Sequence, residues 1–163
     1  MKKIIPFLIL ISAIVIIFIS LSKKEQMITV YKDNFKQLPL PLKLHHLQDP
    51  ECKMVVKDKK YAAQIASKSG KTWAFDDIGC MILWLKDKDD KDAKLWVHTI
   101  DSDEWIDAKS AYYTFDEDTP MHHGFGAYKI KKDEMIDFNE LKDRVLHKED
   151  LTNPIIRKKV LGK

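Results

Sequence analysis

Hydrophobic and polar positions divide the chain into three stretches. The first is an apolar run from Ile4 to Leu21, interrupted only by Pro6, Ser12 and Ser20 and free of charge. As a helix, its eighteen residues rise about 27 Å, close to the thickness of a bilayer's hydrocarbon core. With Met1-Lys2-Lys3 ahead of it, residues 1–24 read as a signal peptide or a transmembrane anchor. Residues 25–50 read as an extended spacer: Met27 to Tyr31 suits a short strand, and Leu38-Pro39-Leu40-Pro41 excludes a helix.

A regular pattern begins near residue 51. Met54-Val55-Val56 is strand-like, and Tyr61–Ala66 and Lys71–Phe75 flank Ser67-Lys68-Ser69-Gly70 as a hairpin with a glycine turn. Asp76 or Asp77 then caps a helix with Ile78, Met81, Ile82 and Leu85 on one face. Leu95–Ile100 closes this first unit as a strand. The order then repeats more weakly: strands at Ala111–Phe115 and Phe125–Ile130, a helix within Asp133–Leu146, and a last strand at Pro154–Val160. The pattern predicts an α+β fold of two successive ββαβ units, residues 51–100 and 101–163, with small mixed sheets each covered by one helix.

Composition changes this picture little. The formal charge is +3, from 28 basic and 25 acidic residues spread along the chain. No basic stripe with interleaved aromatics is present, which gives no support for nucleic acid as a partner. Gly-rich phosphate loops, His-Glu-x-x-His and Cys-x-x-Cys are absent, so the ordinary enzyme signatures are missing. Two cysteines outside the cytoplasm make a Cys52–Cys80 disulfide the simplest expectation.

Candidate chemistry gathers in three clusters of soft or borderline metal ligands. In Glu51-Cys52-Lys53-Met54, an extended backbone would put the Cys52 thiol and Met54 thioether on one side, a donor pair suited to Cu(I). In Thr119-Pro120-Met121-His122-His123-Gly124, a loop offers a thioether and two imidazoles. In Phe75-Asp76-Asp77-Ile78-Gly79-Cys80-Met81, the aspartates suit a helix start, and Cys80 suits either a low-pKa thiol in the first turn or a small buried hydrophobe. His45-His46 precedes the first cluster and can join or guard a metal there. His98 reads as structural, and His147 suits the negative end of a helix dipole.

Taken in order, these motifs resemble the NosL family, accessory proteins of nitrous oxide reductase. The resemblance runs from about Asp49 to Tyr128. It is carried by Cys52-Lys53-Met54, Tyr61-Ala62-Ala63-Gln64, Phe75 to Met81 with Trp84, Trp96-Val97, Trp105 to Ala108, Ala111-Tyr112-Tyr113 and Thr119-Pro120-Met121. It implies a pair of ββαβ units and a non-enzymatic Cu(I) chaperone delivering copper to the centres of nitrous oxide reductase. Cys52, Met54 and Met121 would be ligands, and membrane transporter components of copper maturation would be partners. The expected location is the periplasmic side of the cytoplasmic membrane, anchored by residues 4–21, or the periplasm if the chain is cleaved after Ser22. The chain departs from the family in three places. Lys53 stands where glycine is usual, no lipobox cysteine follows the apolar run, and His122-His123 follows Thr-Pro-Met as possible extra ligands. Two other readings stay open: a thiol-dependent lyase or oxidoreductase using Cys80 with Asp77, and a disulfide-bridged assembly domain.

Overall fold

The structure is a computed structural model that describes residues 4–22, 27–88 and 92–162. Its first helix, α1 (Ile4–Ser22), is the apolar run. Side chains are described for residues 10–20 of it, and all are exposed, with Phe18 at 72%. Among the described residues no helix is long and apolar enough to cross a membrane. Residues 1–3, 23 and 24, at the ends of the expected leader or anchor, lie outside the described residues.

The first unit folds as its pattern predicts. Strands β1 (Ala63–Ala66) and β2 (Thr72–Phe75), helix α2 (Ile78–Lys86) and strand β3 (Lys94–His98) follow one another. A short strand β4 (Trp105–Asp107) then adds to the edge, giving a sheet of order β2-β1-β3-β4. All pairings are antiparallel, so the sheet is not mixed. Every residue of β1 is buried, as a strand with neighbours on both sides and a helix on one face requires. Trp84 of α2 packs against Trp73 and Phe75 of β2, with ring centroids 4.7 and 5.8 Å away.

In the second unit, β5 (Tyr112–Thr114) and β6 (Gly126–Tyr128) form an antiparallel pair. Helix α3 (Phe138–Leu146) follows, capped by Asp137, whose carboxylate accepts the Glu140 N–H. The expected last strand is instead helix α4 (Pro154–Leu161). Its start has a clear cause: the Asn153 side chain accepts the Ile155 N–H, and Pro154 occupies a first-turn position where its missing N–H costs nothing. Gly162, in the left-handed region at φ 67°, ends it.

The two units share one core. Thr99 bridges Ala127, and the Ile100 N–H donates to the Ala127 carbonyl at 2.8 Å. Ile65, Phe75, Met81 and Val97 of the first unit join Tyr113, Phe125, Leu141 and Val145 of the second in a single apolar cluster. Residues 27–50 wrap this body rather than simply spacing it. Leu47 is buried with Val56 and Ala74, and Ile28, Tyr31, Leu42 and Leu44 pack on them. Tyr31 bridges Thr72 of β2, while the Asn34 side chain donates to Thr72 Oγ1 at 2.9 Å.

Gly70 is the corner where this wrapping meets the β1–β2 hairpin. It sits at φ 82°, its carbonyl accepts the Asn34 N–H, and a Cβ there would lie 2.9 Å from the Phe35 ring. Gly70→Ala should therefore lower stability by about 1–2 kcal/mol from backbone strain alone. A thermal melt unchanged from the parent chain would show that the turn is free to relax.

Candidate metal centre

Residues 48–55 form a tight hairpin whose tip carries Cys52. Gln48 pairs with Val55, the Asp49 N–H donates to the Met54 carbonyl at 2.9 Å, and Gln48 Nε2 donates to the Lys53 carbonyl. Inside the tip, Asp49 Oδ1 accepts the N–H groups of Glu51 at 2.7 Å and Cys52 at 3.1 Å. This is the turn that an aspartate side chain makes with its own following backbone. Lys53 closes the tip in the left-handed region at φ 65°, which costs a side-chain-bearing residue about 1–2 kcal/mol. Cys52 and Met54 therefore do not share the face of an extended strand, as expected from their spacing. The Cys52 sulfur turns inward and accepts the Met54 N–H at 3.5 Å, while Met54 remains 39% exposed.

The inward sulfur meets the amino end of α2. Asp49 Oδ2 accepts the Asp76 N–H at 3.1 Å, which ties the tip to the turn between β2 and α2. The Cys52 thiol donates to Asp76 Oδ1 at 3.5 Å. Cys80, in the first turn of α2 and 1% exposed, completes the group. Ligand atoms of Asp49, Cys52, Asp76 and Cys80 all lie within 4.8 Å of one another, an arrangement that could hold a metal ion. Both cysteines are free thiols, so the expected disulfide is not the state seen here.

Asp77, fully buried, organises the other side. One carboxylate oxygen caps α2 by accepting the Gly79 N–H at 2.8 Å, and the other accepts the Met121 N–H at 3.0 Å. The Thr-Pro-Met loop is thus fastened beside the same helix end as Cys52 and Cys80. Met121 itself is half-buried against the core. Its neighbours diverge. His122 is exposed, stands at φ 59°, and lies 3.5 Å from Asp118. His123 is buried, and its Nδ1 is held by Asp150 Oδ2 at 2.7 Å. A Cβ on Gly79 would come within 2.1 Å of the His123 ring, so glycine there lets the imidazole pack against the helix start. His123 is engaged as a packing and ion-pairing group, and His45 and His46 lie exposed in the turn at 44–46.

Electrostatics at the cluster follow from burial. Burial pushes the Cys52 thiol up to about 12, with the charges of Asp49 and Asp76 adding to it. Burial raises Cys80 further still. Burial also raises Asp49, against its hydrogen bonds. Asp76 rises most of the two carboxyls, to about 7, first through burial and then through its hydrogen bond and repulsion with Asp49. Two adjacent buried carboxyls repel each other's charge, which favours the protonated form of Asp76. For His123, burial pulls down, yet the Asp150 hydrogen bond and nearby Asp77 outweigh it, so the imidazole stays above its usual value.

Protonated thiols are weak nucleophiles, whereas a soft cation can displace their protons and bind the sulfurs. No family model and no curated protein matches the chain.

Asp49 and Asp76 were not singled out as ligands from sequence. Asp49-Pro50 before a cysteine is a turn signal, but its link to a residue 27 positions away has no sequence trace. Because the folded chain holds a proton on Asp76 that the unfolded chain releases near pH 4, this group lowers stability as pH rises from about 4 to 7 and adds nothing further above that. Asp76→Asn keeps a donor toward Asp49 without the proton. In metal-free protein, its melting temperature should gain on the parent's progressively from pH 5 to 8. Parallel pH profiles for the two chains would contradict the proton on Asp76.

Proposed function

We propose that the protein is a Cu(I) chaperone of the NosL kind, acting outside the cytoplasm and tethered to the membrane by residues 4–21. The observation that carries this reading is a pair of free thiols, Cys52 and Cys80, whose sulfurs lie within 4.8 Å of each other. Thiolate and thioether sulfur is a soft donor set, matched to Cu(I) and poorly matched to Ca²⁺ or Mg²⁺. The Met121 backbone, fastened to Asp77, keeps a second thioether near the same helix end.

Several features favour transfer over storage or catalysis. Cys52 sits at the tip of a hairpin and is partly exposed, which suits approach by a partner protein. The raised thiols lack the activation a nucleophilic cysteine needs, which weighs against a lyase or oxidoreductase using Cys80. The exposed apolar face of α1 suits a lipid environment, consistent with an anchor. Under this reading the copper is cargo, and its recipients are the copper centres of nitrous oxide reductase, with membrane transporter components as partners.

Anaerobic Cu(I) titration of the full chain, with a competing Cu(I) chelator, tests the proposal. One Cu(I) per chain should bind and resist excess Zn²⁺. Cys52→Ser should lose more than the roughly 10–100-fold that removal of a supporting group costs, and Met121→Leu should lose about tenfold. Unchanged affinity in Cys52→Ser, or displacement of copper by equimolar Zn²⁺, would sink it.

A further inference from the structure

The ligand set that the resemblance implies, Cys52, Met54 and Met121, gives Cys80 no role. A cysteine in the first turn of a helix, 1% exposed, ordinarily passes as a small core hydrophobe. Cys80 differs because its sulfur abuts polar groups, those of Cys52, Asp49 and Asp76, as well as the core. Cys52 stands between two environments. Outward along its hairpin is the exposed Met54, and inward is Cys80.

We infer that Cys80 is a second thiolate ligand and that Cys52 and Cys80 together hold Cu(I) at an inner position between their sulfurs. This inference rests on the Cu(I) reading above. The geometry suits it. Two metal–sulfur bonds of about 2.3 Å reach across at most about 4.6 Å, and the two sulfurs lie within 4.8 Å of each other, so both can approach one ion.

The supporting groups are already in place. Asp49 accepts the N–H groups of Glu51, Cys52 and Asp76, so the hairpin tip and the start of α2 are held together. Those three bonds, with the hydrogen bond to Asp76, use the acceptor sites of this carboxylate. Asp49 is therefore a positioning residue, and the sulfurs are the donors. Binding at the inner position replaces two S–H bonds by two Cu–S bonds. Both protons leave to solvent, and copper stays Cu(I) throughout, so no oxidant or reductant is required.

The test uses the full chain, Cu(I) itself, chelator competition, and thiolate-to-copper charge-transfer absorption per bound ion. The parent chain should show two-thiolate absorption. Cys80→Ser should halve it and weaken binding by more than about tenfold. Should Cys80→Ser fail to fold, the double variant Met54→Leu with Met121→Leu keeps both thiols and decides the question. It should still bind one Cu(I) with the full two-thiolate absorption. One-thiolate absorption in the parent chain, or no Cu(I) retained by the double variant, overturns the inner position. Copper binding lost in Cys52→Ser but untouched in Cys80→Ser removes Cys80 alone and leaves the chaperone reading standing. Parent-like binding in Cys52→Ser defeats that reading itself.

Discussion

The carboxylate of Asp49 is the constraint on which the metal centre depends. It is fully buried, yet its cost is offset by three backbone N–H groups, two from its own hairpin tip and one from Asp76. Without that acceptor, three backbone donors would lose their partner, and the Cys52 loop would keep only its thiol hydrogen bond to Asp76 and its packing on the core to hold it against α2. Burial, with the Asp49 charge adding to it, raises Asp76 and the two thiols beside it.

Asp77 plays the matching part on the other side of the helix start. Its two oxygens serve two elements, capping α2 and holding the Met121 backbone. The consecutive aspartates have separate tasks: the first meets the thiol, and the second orders the scaffold. His123 adds a third brace, wedged on Gly79 and paired with Asp150. Rigid support of this kind lets a small, partly exposed sulfur site keep its shape without a deep cavity around it.

Much of the fold was legible because it is local. The β1–β2 hairpin follows from Ser67 to Gly70, α2 from an aspartate cap ahead of helical spacing, and β3 from a run of large apolar residues. Where the reading failed, a local cue had been underweighted or a distant contact decided. Asn153-Pro154 is a helix start, and it overrides the strand expected at Pro154–Val160. Lys53 reads as an ordinary strand residue, but the hairpin tip needs a left-handed conformation there. A glycine would meet that requirement without the side-chain penalty that Lys53 bears. Cys80 looked like core filler because its burial is local knowledge, while its closeness to Cys52 arises only when residues 24 to 31 positions apart along the chain are folded together. Of the histidines after Met121, His123 is held by Asp150, 27 positions further along the chain, a pairing with no trace in the local sequence.

A hairpin tip, a helix start and a loop converge at this site, and each contributes sulfur or the groups that hold sulfur in place. Such a centre should dress a soft ion in sulfur alone. Copper K-edge X-ray absorption on the anaerobically loaded full chain tests this most directly. The account predicts a two- or three-coordinate Cu(I) first shell made only of sulfur. A shell dominated by nitrogen or oxygen would contradict it.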